Sequence, residues 1–170
     1  MKKIILFLLS FLSLGGCADT PVTVDNSTVK QLDLKRFMGR WYEIARYDHK
    51  FERGMTNVTA TYTLLDNGRI KVVNEGLKDG RRKTADGRAK LPDASQPGRL
   101  KVSFFLWFYA DYYVLDIAPD YSYVLVGSSS DKYLWIMSRT PSLPKPVTDS
   151  LLDNLKRRGY DTTKLIWVKQ

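Results

Sequence analysis

From Asn57 to Leu65 the chain alternates without interruption: Val58, Ala60, Tyr62 and Leu64 fall on one parity, Asn57, Thr59, Thr61 and Thr63 on the other. A period of two marks an antiparallel strand with one face in a core and the other in water. Asp66-Asn67-Gly68 follows as a hairpin turn, the Asn-Gly step being suited to positive φ. The pattern then recurs. Ile70, Val72 and Asn74 oppose Lys71, Val73 and Glu75, and after Lys78-Asp79-Gly80 the small residues Ala85, Gly87 and Ala89 share one side of the next strand. The stretch 91–98, with two prolines and a closing glycine, reads as a loop. Beyond it Leu100, Val102 and Phe104 are assigned inward. In the strand from Tyr112 to Ala118, Asp116 marks the outer face, which assigns Tyr113, Leu115 and Ile117 inward. Asp120-Tyr121 turns into a strand over 122–128, and Tyr133, Trp135, Met137 and Arg139 share a face of the last one.

Together with an opening strand at Gly39–Arg46 this makes eight strands joined mostly by tight turns. The fold class is therefore all-β: an eight-stranded antiparallel up-and-down β-barrel, since closing so long a meander removes its exposed edges. Eight strands leave an interior wide enough for one small ligand. The tail breaks the pattern. Val147, Leu151 and Leu155 recur every four residues, Lys156-Arg157-Arg158 crowd the last turn, and Gly159 sits where a helix ends. One C-terminal α-helix outside the barrel is expected, then a short ninth strand at Leu165–Val168.

The start of the chain belongs to no core. Lys2-Lys3 precede an apolar run, Ile4 to Leu14, that is too short to span a bilayer. Leu14-Gly15-Gly16-Cys17 resembles the bacterial lipoprotein box, which implies a signal peptide over 1–16 and lipidation of Cys17. Cys17 is the sole cysteine, so no disulfide can form within the chain. Ala18, rather than aspartate, after the cysteine implies the outer membrane, facing the periplasm. Residues 17–30 read as a lipidated tether and 31–170 as the folded domain. The formal charge of +9 would suit nucleic acid, but an exported, tethered protein does not meet it. Attraction to anionic headgroups or acidic ligands is the simpler account.

Gly39-Arg40-Trp41-Tyr42-Glu43-Ile44-Ala45-Arg46 resembles the first motif of the lipocalins, and Ser138-Arg139-Thr140-Pro141 resembles the third. Ala118-Pro119-Asp120-Tyr121 matches the second only in its Asp-Tyr. Within the family the likeness is to bacterial outer-membrane lipoprotein lipocalins and their apolipoprotein D-like relatives, carried by Tyr133–Pro141 and Ile166-Trp167-Val168. The resemblance implies a calyx closed at one end by Gly39, Trp41 and Arg139, with the guanidinium over the indole. It also implies a lipid ligand, a fatty acid or lysophospholipid.

The cavity is expected to be lined by Val58, Tyr62, Ile70, Val72, Asn74, Val102, Phe104, Leu115, Trp135 and Met137, with a headgroup near Arg53, Lys78 or Arg81. Small residues at 60, 85, 87 and 89 argue against a solid core. No enzyme is expected, because the inward residues offer only tyrosines, Asn74 and, deep down, Glu43 with Arg139. His49, the sole histidine, reads as a solvated loop residue, and neither a metal site nor a cofactor is expected. The competing reading is a structural envelope lipoprotein or interaction module without a ligand. Phe105-Leu106-Trp107-Phe108-Tyr109 should not face water alone; a lid, a homodimer contact and a bilayer contact are its three open fates.

Overall fold

The computed structural model describes residues 24–170; the segment 1–16 and Cys17 lie outside the described residues. One antiparallel sheet closes on itself. Its strands are β1 (Gly39–Arg46), β2 (Met55–Leu64), β3 (Ile70–Lys78), β4 (Arg81–Lys90), β5 (Arg99–Phe105), β6 (Phe108–Ile117), β7 (Tyr123–Gly127) and β8 (Leu134–Ser138). Each pairs with its neighbour in sequence, and β1 pairs with both β8 and β2, which shuts the barrel. A one-turn helix α1 (Leu34–Phe37) crosses one end, capped by the Asp33 side chain accepting from the Lys35 and Arg36 amides. Helix α2 (Lys145–Arg157) and β9 (Ile166–Trp167) follow β8.

Two apolar clusters result from the alternation. Phe37, Trp41, Ile70, Leu100, Val114 and Val124 fill the closed end of the barrel. Outside it, Leu151 and Leu155 of α2 meet Ile44, Leu115, Leu125 and Ile136, the outward residues of β1, β6, β7 and β8. Gly159 ends α2 at φ +84°, a left-handed conformation that glycine takes at no steric cost, and the Tyr160 amide returns to the Leu155 carbonyl. β9 pairs with Ala45 and Arg46 where β1 parts from β2. The Gln170 side-chain amide spans that gap, donating to the carbonyls of Glu43 (2.6 Å) and Val58 (2.9 Å).

Two expectations are corrected. The inward residues of β6 are Tyr112 and Val114, not Tyr113 and Leu115. A bulge between Val114 and Asp116 restores the parity, so Ile117 again packs inward. Nor are residues 24–30 a free tether. The Asp25 amide donates to Arg158 O and the Val29 amide to Val114 O, while Arg158 Nη1 donates to the carbonyls of Asp25 and Ser27. The strap runs so close to Gly98 that a Cβ there would sit 2.7 Å from Thr28.

Candidate functional site

The closed end is built from backbone carbonyls and two aromatic planes. Trp41 is fully buried, and its indole N–H donates to Phe37 O at 2.9 Å, which satisfies the one polar atom of the ring. Arg139 lies over that ring, its guanidinium carbon 3.7 Å from the centroid. The same guanidinium donates to the carbonyls of Arg40, Arg36 and Phe37 at 2.9, 2.7 and 3.1 Å, tying α1 to the barrel. Gly39 sits at φ +93°, with Arg139 Nη1 3.4 Å from where a Cβ would be. Tyr121 braces the same corner by accepting from the Asp33 amide.

Above this floor the barrel encloses a cavity of about 660 Å³, open at the other end. That volume is within the range of small-molecule pockets, about 300–1,000 Å³. Eight of the ten residues assigned to the lining face it: Val58, Tyr62, Val72, Asn74, Val102, Phe104, Trp135 and Met137. Ile70 does not, because it is buried in the closed-end cluster below. Leu115 does not either, because the β6 bulge turns it outward against α2. Small residues make the room. A Cβ at Gly87 would lie 2.6 Å from the Phe104 ring, so only glycine lets that ring fold against β4. Deep in the cup Tyr62 and Tyr112 share a hydrogen bond of 2.9 Å, and burial pushes both phenols well above their usual range.

One wall is polar, and sequence reasoning misplaced one of its members, His49. His49 is buried rather than solvated, its ring stacked 3.9 Å from that of Phe51 and tilted against Trp135 at 5.2 Å. Its Nε2 lies 3.0 Å from Glu52 Oε2, out of line for a hydrogen bond. Glu43, deep in the barrel as expected, pairs with Arg46, whose Nη1 donates to Glu43 Oε1 at 2.6 Å while Nη2 donates to the backbone carbonyl of Glu52 at 2.6 Å. Trp135 Nε1 donates to Glu52 Oε2 at 3.2 Å. One guanidinium thus ties the Glu43 carboxyl to the backbone carbonyl of Glu52. Burial, reinforced by the neighbouring Glu52 charge, raises Glu43 well above the usual carboxyl range. Burial also pushes Glu52 upward, but the contact with His49 and the Trp135 hydrogen bond outweigh it and hold Glu52 low. The two carboxyls are thus pushed in opposite directions. Alternation from Trp41 places Glu43 inward; nothing local announces that a loop will fold Glu52 and His49 over it. Among the described residues no three His, Cys, Asp or Glu gather to hold a metal.

The rim is apolar. β5 and β6 meet in a hairpin whose tip exposes Phe105, Leu106, Trp107 and Phe108, with Trp107 72% exposed. Phe51 and Tyr133 stand exposed at the same end. A second, more open groove lies outside the rim, where Lys50, Arg53 and Lys132 stand among Phe51, Tyr133 and Ile166. Arg53, assigned near a headgroup, is held by Asp48 at 2.5 Å.

The lipocalin-like domain model matches residues 32–170. Outer membrane lipoprotein Blc of Vibrio cholerae is 42% identical over 173 residues, covering 100% of this chain and 99% of that protein. Apolipoprotein D of Mus musculus is 36% identical, covering 92% of this chain and 84% of that one. Insecticyanin of the tobacco hornworm Manduca sexta superposes at a TM-score of 0.68 with 25% identity, covering 84% and 83% of the two chains. A cup stopped by Trp41 under Arg139, in a chain aligned end to end with an outer membrane lipoprotein, leads to one conclusion: this protein belongs to the lipocalin family and is a lipid-anchored protein of the bacterial outer membrane.

Proposed function

We propose that this protein holds single acyl chains, as fatty acids or lysophospholipids, in its barrel and stores or moves them for envelope maintenance. The observation that carries the reading is the cavity of about 660 Å³, walled mostly by apolar side chains and open at a rim of exposed aromatics. Each buried methylene contributes about 0.8 kcal/mol, so a chain of about 16 carbons has an upper bound near ~12 kcal/mol. Ordering the chain subtracts a large part of that. The family's members are binding and transport proteins, and the inward groups here form no nucleophile–base pair. Lipidation at Cys17 after removal of residues 1–16 supplies the anchor in this reading, and the hairpin tip meets the bilayer surface.

Extraction of the purified protein followed by mass spectrometry is expected to recover fatty acids or lysophospholipids. Titration with palmitate is expected to quench tryptophan fluorescence, and Trp135→Phe to reduce the quench because Trp135 lines the cup. Tyr62→Ala should change the affinity. Empty extracts, together with titrations unchanged in both variants, would favour the ligand-free structural lipoprotein.

A further inference from the structure

Residues 69–101 hold ten Lys and Arg against four Asp and Glu, an excess of six in a chain whose formal charge is +9. The sheet register gathers much of this excess on one wall. Lys71 of β3 stands directly opposite Arg88 of β4, and Lys90 of β4 directly opposite Lys101 of β5. Like charges in directly opposed cross-strand positions repel and destabilise a sheet. Among the described residues only Lys101 of this group has a carboxylate, Asp111 at 2.6 Å. Lys71, Arg88, Lys90 and Arg99 are exposed. Three of them are steadied by aromatic rings instead: Lys90 Nζ lies 4.5 Å and the Arg88 guanidinium 5.7 Å from the Tyr109 centroid, and the Arg99 guanidinium lies 5.2 Å from that of Tyr113.

α2 covers the outer faces of β1, β6, β7 and β8; no described helix covers β3, β4 or β5. Tyr109, which accepts from Arg88 Nε at 3.1 Å, directly follows the exposed tip Phe105–Phe108. The cationic wall and the apolar tip are therefore one continuous surface. We propose that the outer face of β3, β4 and β5 is a docking surface for an anionic phospholipid bilayer, which lays this side of the barrel against the headgroups while the tip enters them. An acidic protein would satisfy the cations, but the bilayer satisfies both halves, since aromatics favour the headgroup boundary and Lys and Arg favour anionic lipid. The inference rests on the membrane setting of the proposed function and adds to it the face and the headgroup charge.

Residues 24–170 supply the whole barrel and both apolar clusters, so the protein beginning at Ala18, without lipid, is the material for the test. Its sedimentation with phosphatidylcholine vesicles is compared with that on vesicles containing about one third phosphatidylglycerol. Phosphatidylglycerol is expected to strengthen binding, and added salt to abolish the gain. Lys71→Gln/Arg88→Gln/Lys90→Gln is expected to weaken binding to the anionic vesicles roughly a hundredfold, from the usual contribution of a surface Lys or Arg. It should leave the phosphatidylcholine baseline alone. Lys145→Gln/Lys156→Gln/Lys164→Gln removes equal charge from the helix side and should change little. Equal losses in the two triple variants, or no preference for phosphatidylglycerol, would overturn the assignment. Palmitate titration of each variant reads the cup separately, so failure of the cargo reading is distinguishable from failure of the docking face.

Discussion

Glu43 is a carboxyl set in the wall of an apolar cup, with Arg46 bridging it to the backbone carbonyl of Glu52. Its raised pKa has a consequence for stability. A carboxyl whose folded pKa lies above its ordinary 4.5 binds more protons folded than unfolded. Its contribution is therefore complete below 4.5 and is lost as pH rises through the folded value. Glu52, held low, acts in the opposite sense: its contribution is present above 4.5 and is lost as pH falls through its folded value. The pair thus favours a window between the two. Glu43→Gln keeps a neutral hydrogen-bonding group in place and removes the upper limit. Thermal melts of this variant are expected to lose the alkaline decline of the parent while keeping the acid one. A parallel alkaline decline in both proteins would show that Glu43 is ionised throughout.

The bulge in β6 decides which side of the barrel Leu115 serves. Strict alternation back from Ile117 puts it in the cup; the extra residue puts it under α2 beside Leu151 and Leu155. The two placements give different outcomes for Leu115→Ala. Outside the barrel it leaves a void beneath the helix, at a cost of roughly 2–5 kcal/mol, and the acyl chain never meets it. A lowered Tm with unchanged palmitate affinity is expected, whereas a changed affinity at intact stability would return Leu115 to the lining. The helix itself was legible, because its four-residue apolar spacing and terminal glycine are local signals. The bulge was not, because β6 bends to meet β7 and α2 rather than obeying its own residues.

The mouth carries the largest exposed apolar feature of the described chain, with Phe105, Trp107 and Phe108 each more than half exposed. An anchor at Cys17 would turn membrane encounter into a local event and raise its effective concentration. Trp107→Ser/Phe108→Ser in the protein beginning at Ala18 is expected to lower both liposome binding and lipid transfer from vesicles. Equal binding and transfer would remove the membrane role. A change confined to the sedimentation coefficient would assign the tip to a homodimer contact.

Strand number, turn positions and the closing helix were legible from residues alone, because each rests on a local period, and the Trp41–Arg139 corner from the resemblance of two short motifs to those of the lipocalins. The same period put nine of the ten residues assigned to the lining on the inward face, eight of them at the cavity. Tertiary structure alone decided the rest. It set the depth at which the cup ends, leaving Ile70 below the cavity, and turned Leu115 outward. The loop over 47–54 folds a histidine and a glutamate into a wall that composition would place in water. Sheet register then brought Lys71, Arg88, Lys90 and Lys101 together. These outcomes depend on which strand lies beside which and in what stagger. Pairings between residues far apart in the chain settle that, and no local pattern records them.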